Sequence, residues 1–149
     1  MFKLNQKDAN TIHIDMSSET VNIGKLTEVV EEFFQDFLPS PQSYNTAVAV
    51  DEAVTNIIMH GYNNQPNGTI HIVLKKDLKE AIVQIESFSK PFIPPIIVEK
   101  KKFTFDKLEK GGLGLYLMQE FMDELRFLYN EDEKKNTMVM KKYKPLQTA

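Results

Sequence analysis

Residues 47–62 read AVAVDEAVTNIIMHGY, and the fold follows from how this stretch is wound. At 100° per residue Ala49, Ala53, Ile57, Val50, Val54 and Ile58 share one arc of a helix, the apolar stripe of an element that packs on a core. Glu52 and Asn56 fall about 40° apart at the border of that stripe, so a carboxylate and an amide sit one turn from each other. The periodicity predicts a helix from about Ser43 to Tyr62. The turn-rich run Asn63-Asn64-Gln65-Pro66-Asn67-Gly68 ends it.

Upstream, Ile23, Leu26, Val29, Val30, Phe33, Phe34 and Phe37 recur at helical spacing between about Val21 and Leu38, and Pro39 with Pro41 closes that run. Thr11-Ile12-His13-Ile14 alternates as a short strand, and Met16-Ser17-Ser18-Glu19 reads as the turn into the first helix. Downstream, Thr69 to Leu74 alternates as a strand, Asp77-Leu78-Lys79-Glu80 is a hairpin turn, and Ala81 to Ser87 is the return strand. Ile82 lies on one face of that strand, with Ala81, Val83 and Ile85 on the other. Pro91, Pro94 and Pro95 break regular structure, and a lysine-rich polar loop runs from Lys100 to Lys110. Gly111-Gly112-Leu113-Gly114 then opens a third helix carrying Leu115, Leu117, Met118, Phe121 and Met122. Two strand-like runs follow, Glu124 to Tyr129 and Thr137 to Tyr143. The order predicts an α+β two-layer sandwich, with a mixed, mainly antiparallel sheet covered on one face by three long helices.

Composition excludes most other classes. The 149 residues suit one domain, expected to span 1–149, and can bury roughly two thirds of their unfolded surface. With 42% hydrophobic and 26% charged residues and a net charge of −3, the chain is neither disordered nor a coat for nucleic acid. It has no cysteine, which removes disulfides, thiolate metal sites and thiol nucleophiles together. No segment reaches the ~20 apolar residues of a membrane span, and MFKLNQKDAN lacks the apolar core of a signal peptide, so a cytoplasmic location is expected.

Three places carry chemistry. The Glu52 and Asn56 pair fits two polar residues at a helix boundary, and it equally fits an amide oxygen for Mg²⁺ beside a carboxylate able to take a proton from a hydroxyl attacking phosphate. The glycines at 111, 112 and 114 fit a turn and cap, or a close approach of backbone N–H groups at a helix N-terminus to an anion. The lysines before them, including Lys107 and Lys110, fit a solvated charge run or a cationic lid over phosphates.

The segments AVAVDEAVTNIIMHGY and GGLGLYLMQEFMDEL, in this order and at this spacing, resemble the two best-defined motifs of the anti-sigma factor serine kinases. These are a branch of the GHKL ATPases, which include histidine kinase ATP-binding domains. The resemblance covers about Thr11 to Tyr143. It implies that Glu52 is a general base, that Asn56 binds Mg²⁺, and that Gly112 and Gly114 contact nucleotide phosphates, with Lys110 in the place of a basic residue before the glycines. His60 and Gly61 match the pattern at the helix end, where His60 reads as structural. The resemblance further implies ATP as ligand, a sigma factor and an antagonist protein as partners, a homodimer, and no direct contact with DNA.

The third motif departs from the family. Where such proteins carry Asp-x-Gly after the strand, with the Asp accepting from the adenine amino group, residues 85–95 read IESFSKPFIPP. This register puts Ser87 in the place of the Asp and Ser89 in that of the Gly. Glu86 is one residue away, and strand parity turns it to the opposite face. Two functions stay open on these residues: a serine-protein kinase using Mg-ATP, and a module that sequesters a sigma factor or similar partner with weak or absent ATP use.

Overall fold

The computed structural model describes residues 1–91 and 113–145. Six strands form one sheet: β1 (Phe2–Asp8), β2 (Thr11–Ser17), β3 (Thr69–Lys76), β4 (Glu80–Ser87), β5 (Glu124–Asn130) and β6 (Lys135–Tyr143). Among the described residues three α-helices accompany them, α1 (Val21–Phe34), α2 (Gln42–Asn56) and α3 (Leu113–Phe121). The strand order is β1-β2-β3-β4-β6-β5.

Alternation in the sequence becomes one buried face. Ile12, Ile14 and Met16 pair across to Leu74, Ile72 and Ile70, and the same rows continue through Val83 and Ile85 to Met140 and Met138. All of these side chains are buried. Against them lie Leu26, Val30 and Phe34 of α1, Ala49, Val50, Ala53 and Val54 of α2, and Leu115 and Met118 of α3. Each large side chain removed from water this way contributes roughly 1.5–3 kcal/mol. Helix α2 is the middle of the layer, touching α1 on one side and α3 on the other. The other sheet face carries His13, Asp15, His71, Gln84, Glu86 and Arg126, none of them buried.

The two-layer α+β prediction holds, with one correction. All the pairings among the described residues are antiparallel, so the sheet is not mixed. Two helices separate β2 from β3, which returns the chain in the reverse direction beside its predecessor. Strands β4 and β5 run the same way, but β6 inserts between them and pairs with both.

Strand β1 was not evident in the sequence. All but one of its residues are exposed and apolar alternation stops after Phe2 and Leu4, so its backbone pairing with β2 is what makes it a strand. Strand β2 also runs on to Ser17 where a turn was predicted, because Met16 buries beneath α1 and Ser17 pairs with Thr69. Helix α1 stops at Phe34, short of the predicted Leu38. Leu38 is nevertheless buried, held by its N–H donating to the Phe34 carbonyl at 2.7 Å. The predicted lysine-rich loop and the start of the third helix at Gly111 lie outside the described residues, as do Lys110 and Gly112.

Candidate functional site at the end of helix α2

The last two turns of α2 border both the core and the surface. Ala53 and Val54 bury inward, while Asp51, Glu52, Thr55 and Asn56 remain partly exposed beside them. Thr55 donates its hydroxyl to Asp51 Oδ1 at 3.1 Å, which turns Asp51 along the helix and leaves Glu52 facing α3. There the side chain meets Gly114, since a Cβ built on that glycine would lie 2.5 Å from Glu52 Oε2 and 3.4 Å from its Cδ. A side chain at 114 would thus have to displace the Glu52 carboxylate from where it lies. The tertiary fold thus joins two of the sequence-derived candidates, Glu52 and Gly114. Burial pushes the Glu52 carboxyl above its ordinary range, and the neighbouring Asp51 charge pushes the same way. No ion pair among the described residues engages it.

Beyond Asn56 the helix does not simply end. Residues Ile57–Gly61 form a π-helical turn in which the Tyr62 N–H donates to the Ile57 carbonyl at 2.9 Å. The wider turn places Gly61 against Ser89, where an added Cβ would sit 2.6 Å from Ser89 Oγ and 2.9 Å from its Cβ. Tyr62 then lies over Gly68 and ties three segments together. Its hydroxyl donates to the Thr69 carbonyl at 2.6 Å and accepts from the Phe88 N–H at 3.0 Å. The end of α2 is in this way clamped to the start of β3 and the end of β4. His60 stands exposed on this turn.

Under the π-turn lies a pocket of about 20 Å³, room for one water, whose lining includes Ile57, Ile85, Met138, Ser87, Ser89 and Asn136. Ser87 is 1% and Ser89 6% exposed. Their hydroxyl oxygens are 3.2 Å apart. Asn136, the β6 partner of Ser87, donates its amide to the Ser89 carbonyl and hydroxyl, both at 3.1 Å, and to the Lys90 carbonyl at 3.3 Å. Glu86 lies on the opposite face as strand parity predicts, accepting from Gln84 Nε2 at 2.7 Å with Lys135 Nζ 3.8 Å away.

The sequence reading missed Asn136, Tyr62 and the π-turn. Asn136 carried one available signal, as an inward-facing amide opposite an inward-facing serine, but only the β4–β6 register puts the two side by side. For a metal the described residues offer the Asn56 amide and no cluster of three or more acidic or imidazole groups. Such a donor set suits Mg²⁺ that keeps its waters and takes its other oxygens from phosphates.

The family model for the histidine kinase-like ATPase domain matches residues 16–142. The chain belongs to the histidine kinase-like ATPase domain family. Among its relatives, an anti-sigma F factor of Geobacillus sp. (strain WCH70) is 31% identical over 145 residues, covering 90% of this chain and 92% of the relative. An anti-sigma F factor of Clostridium botulinum (strain Eklund 17B / Type B) is 30% identical over 135 residues, covering 89% and 94%. The serine-protein kinase RsbW of Bacillus velezensis is 35% identical over 108 residues, covering 64% of this chain and 61% of that protein. The resemblance read from the α2 and glycine motifs and the matched family agree. Among the described residues no helix is long and apolar enough to cross a membrane.

Proposed function

We propose that the chain is an anti-sigma factor serine-protein kinase, which binds ATP and phosphorylates a serine of an antagonist protein while regulating a sigma factor. The observation that carries this reading is the Glu52 carboxylate, raised in pKa by burial and packed against Gly114 at the first turn of α3. A carboxylate that burial makes more basic than usual, backed by no counter-ion among the described residues, suits a general base better than a structural ion pair. The names of the relatives support the partners, and the net charge of −3 gives no reason to add nucleic acid.

In this reading Glu52 accepts the proton of the attacking serine hydroxyl as its oxygen bonds to the γ-phosphorus and the bond to the departing ADP oxygen breaks. The Asn56 amide oxygen would hold Mg²⁺, which when bound neutralises charge developing on the phosphates. Lys110, Gly112 and Gly114 would bind the phosphates, and Ser87 the base. We further assign 1–149 to one domain acting in the cytoplasm as a homodimer, on the resemblance of the motifs and on composition.

Replacing Glu52 by Gln tests the reading. ATP affinity measured by calorimetry should stay within a few fold, while phosphoserine formation on the antagonist falls by roughly 10²–10⁴. In the native chain, transfer should rise with pH through a range above that of an ordinary glutamate, and Glu52→Gln should abolish that dependence. Transfer that survives the substitution unchanged removes Glu52 from the chemistry. A native chain that binds no Mg-ATP at millimolar concentration is instead a sequestering module.

A further inference from the structure

Strand parity brings two of the chain's three histidines together on the sheet face away from the helices. His13 pairs with Val73 and Asp15 with His71, so the two imidazoles are diagonal neighbours on β2 and β3. Their ring centroids are 5.4 Å apart and their planes are tilted by 50°. His71 Nδ1 lies 2.6 Å from Asp15 Oδ1. A carboxylate in that place accepts a hydrogen bond from Nδ1–H, which fixes the tautomer and turns the Nε2 lone pair away from Asp15. The His13 ring makes no hydrogen bond among the described residues and is free to turn.

We propose that His13 and His71 form a two-imidazole site for a divalent transition metal of the zinc and copper class, in which Asp15 is the positioning residue that holds His71 ready to ligate. The site lies on the opposite face of the sheet from α2 and stands apart from the kinase reading. Spacing supports it first. A tetrahedral ion with metal–nitrogen bonds of about 2.0–2.1 Å holds two imidazole centroids about 5.2 Å apart, and the strands already set them at 5.4 Å. The tautomer supports it next, because a ligating histidine almost always donates its other ring N–H to a carboxylate, a carbonyl or water.

The charges around the pair determine which metal it suits. Asp15 and Glu86 flank His71 along its row, from β2 and β4. Lys3 shares that row from β1, and Lys135 Nζ is 3.8 Å from Glu86. Lys75 pairs with Thr11, on the far side of His13 from His71, and Lys7 belongs to the same end of the sheet. Positive and negative groups therefore nearly cancel, and a cation gains little from the field alone. Binding rests on the two ring nitrogens, which favours Zn²⁺ or Cu²⁺ and gives no advantage to Mg²⁺ or Ca²⁺, whose ligands are oxygens. Among the described residues no third acidic or imidazole group completes a cluster, so water fills the remaining positions. A bound ion would tie β2 to β3 through their side chains.

Calorimetric titration of the EDTA-treated full chain with Zn²⁺, with Mg²⁺ present and no nucleotide, tests the proposal. One site is expected. His13→Gln and His71→Gln should each abolish it, while His60→Gln, at the third histidine, should bind as the native chain does. Asp15→Asn keeps both ligands and should weaken zinc binding by about 10–100-fold. No binding at millimolar Zn²⁺ overturns the site, and so does binding that survives either His13→Gln or His71→Gln, or that is lost in His60→Gln. Undiminished affinity in Asp15→Asn overturns the role of Asp15. Should a variant lose its native circular dichroism, nitrogen NMR of the native chain decides. Zinc should shift His71 Nε2 and one ring nitrogen of His13 while His71 Nδ1 keeps its proton, and ring resonances that do not move overturn the proposal.

Discussion

The contact between Gly61 and Ser89 joins the π-turn to the pocket floor, and a mutant cycle can measure it. A Cβ at residue 61 would stand 2.6 Å from Ser89 Oγ, 2.9 Å from Ser89 Cβ and 3.7 Å from Ile57 Cγ2. Carbon atoms in contact prefer about 3.5–4.0 Å, so the shortfall against Ser89 is well over half an ångström. Rotating the hydroxyl relieves the first clash but not the second, because backbone position sets Ser89 Cβ. Rotation would also pull Ser89 Oγ from Asn136 Nδ2, 3.1 Å away. Overpacking of this kind costs about 1–3 kcal/mol and the hydrogen bond about 0.5–1.5 kcal/mol more. Exchanging glycine for alanine in a helical segment returns roughly 0.5–1 kcal/mol. Gly61→Ala should thus destabilise by about 1–3 kcal/mol, which urea titration reads directly and heating reads as a loss of roughly 2–4 °C per kcal/mol. Ser89→Gly removes both clashing atoms. The double variant should therefore be more stable than the sum of the two singles by at least about 1 kcal/mol. Additivity within about 0.5 kcal/mol would refute the packing described for the π-turn.

Tyr62→Phe keeps the ring over Gly68 but removes the hydroxyl that serves Thr69 and Phe88, and it should cost about 1–2 kcal/mol in urea unfolding. The Phe88 amide should at the same time exchange faster with deuterium, and unchanged exchange would show the clamp to be absent. On the sheet face away from the three helices, burial lowers the pKa of His13, as do His71, Lys7 and Lys75, with Asp15 opposing them. The folded state therefore takes this proton less readily than the unfolded chain. The contribution of His13 to stability is complete above the unfolded value near 6.5 and is lost as pH falls below it. His13→Gln should flatten the stability profile between about pH 7 and 5, and a slope equal to that of the native chain would remove His13 as its source.

Periodicity alone was enough to place α1, α2, the β3–β4 hairpin and the two last strands, because an element that buries one face must repeat its apolar residues at its own period. The same logic put Glu52 and Asn56 on one border of α2, and strand parity turned Glu86 away from Ser87. What the sequence could not hold was anything decided between elements. Strand β1 buries almost nothing, so only its hydrogen bonds to β2 reveal it. The antiparallel sheet depends on β6 entering between β4 and β5, an event with no local signature. The π-turn differs from an α-turn by one carbonyl partner, chosen because Gly61 must fit against Ser89 and Tyr62 must reach Thr69 and Phe88. Asn136 became part of the site through register alone, since a cross-strand neighbour is near in space while remote along the chain. Local spacing determined which residues share a face, and tertiary packing decided which faces meet.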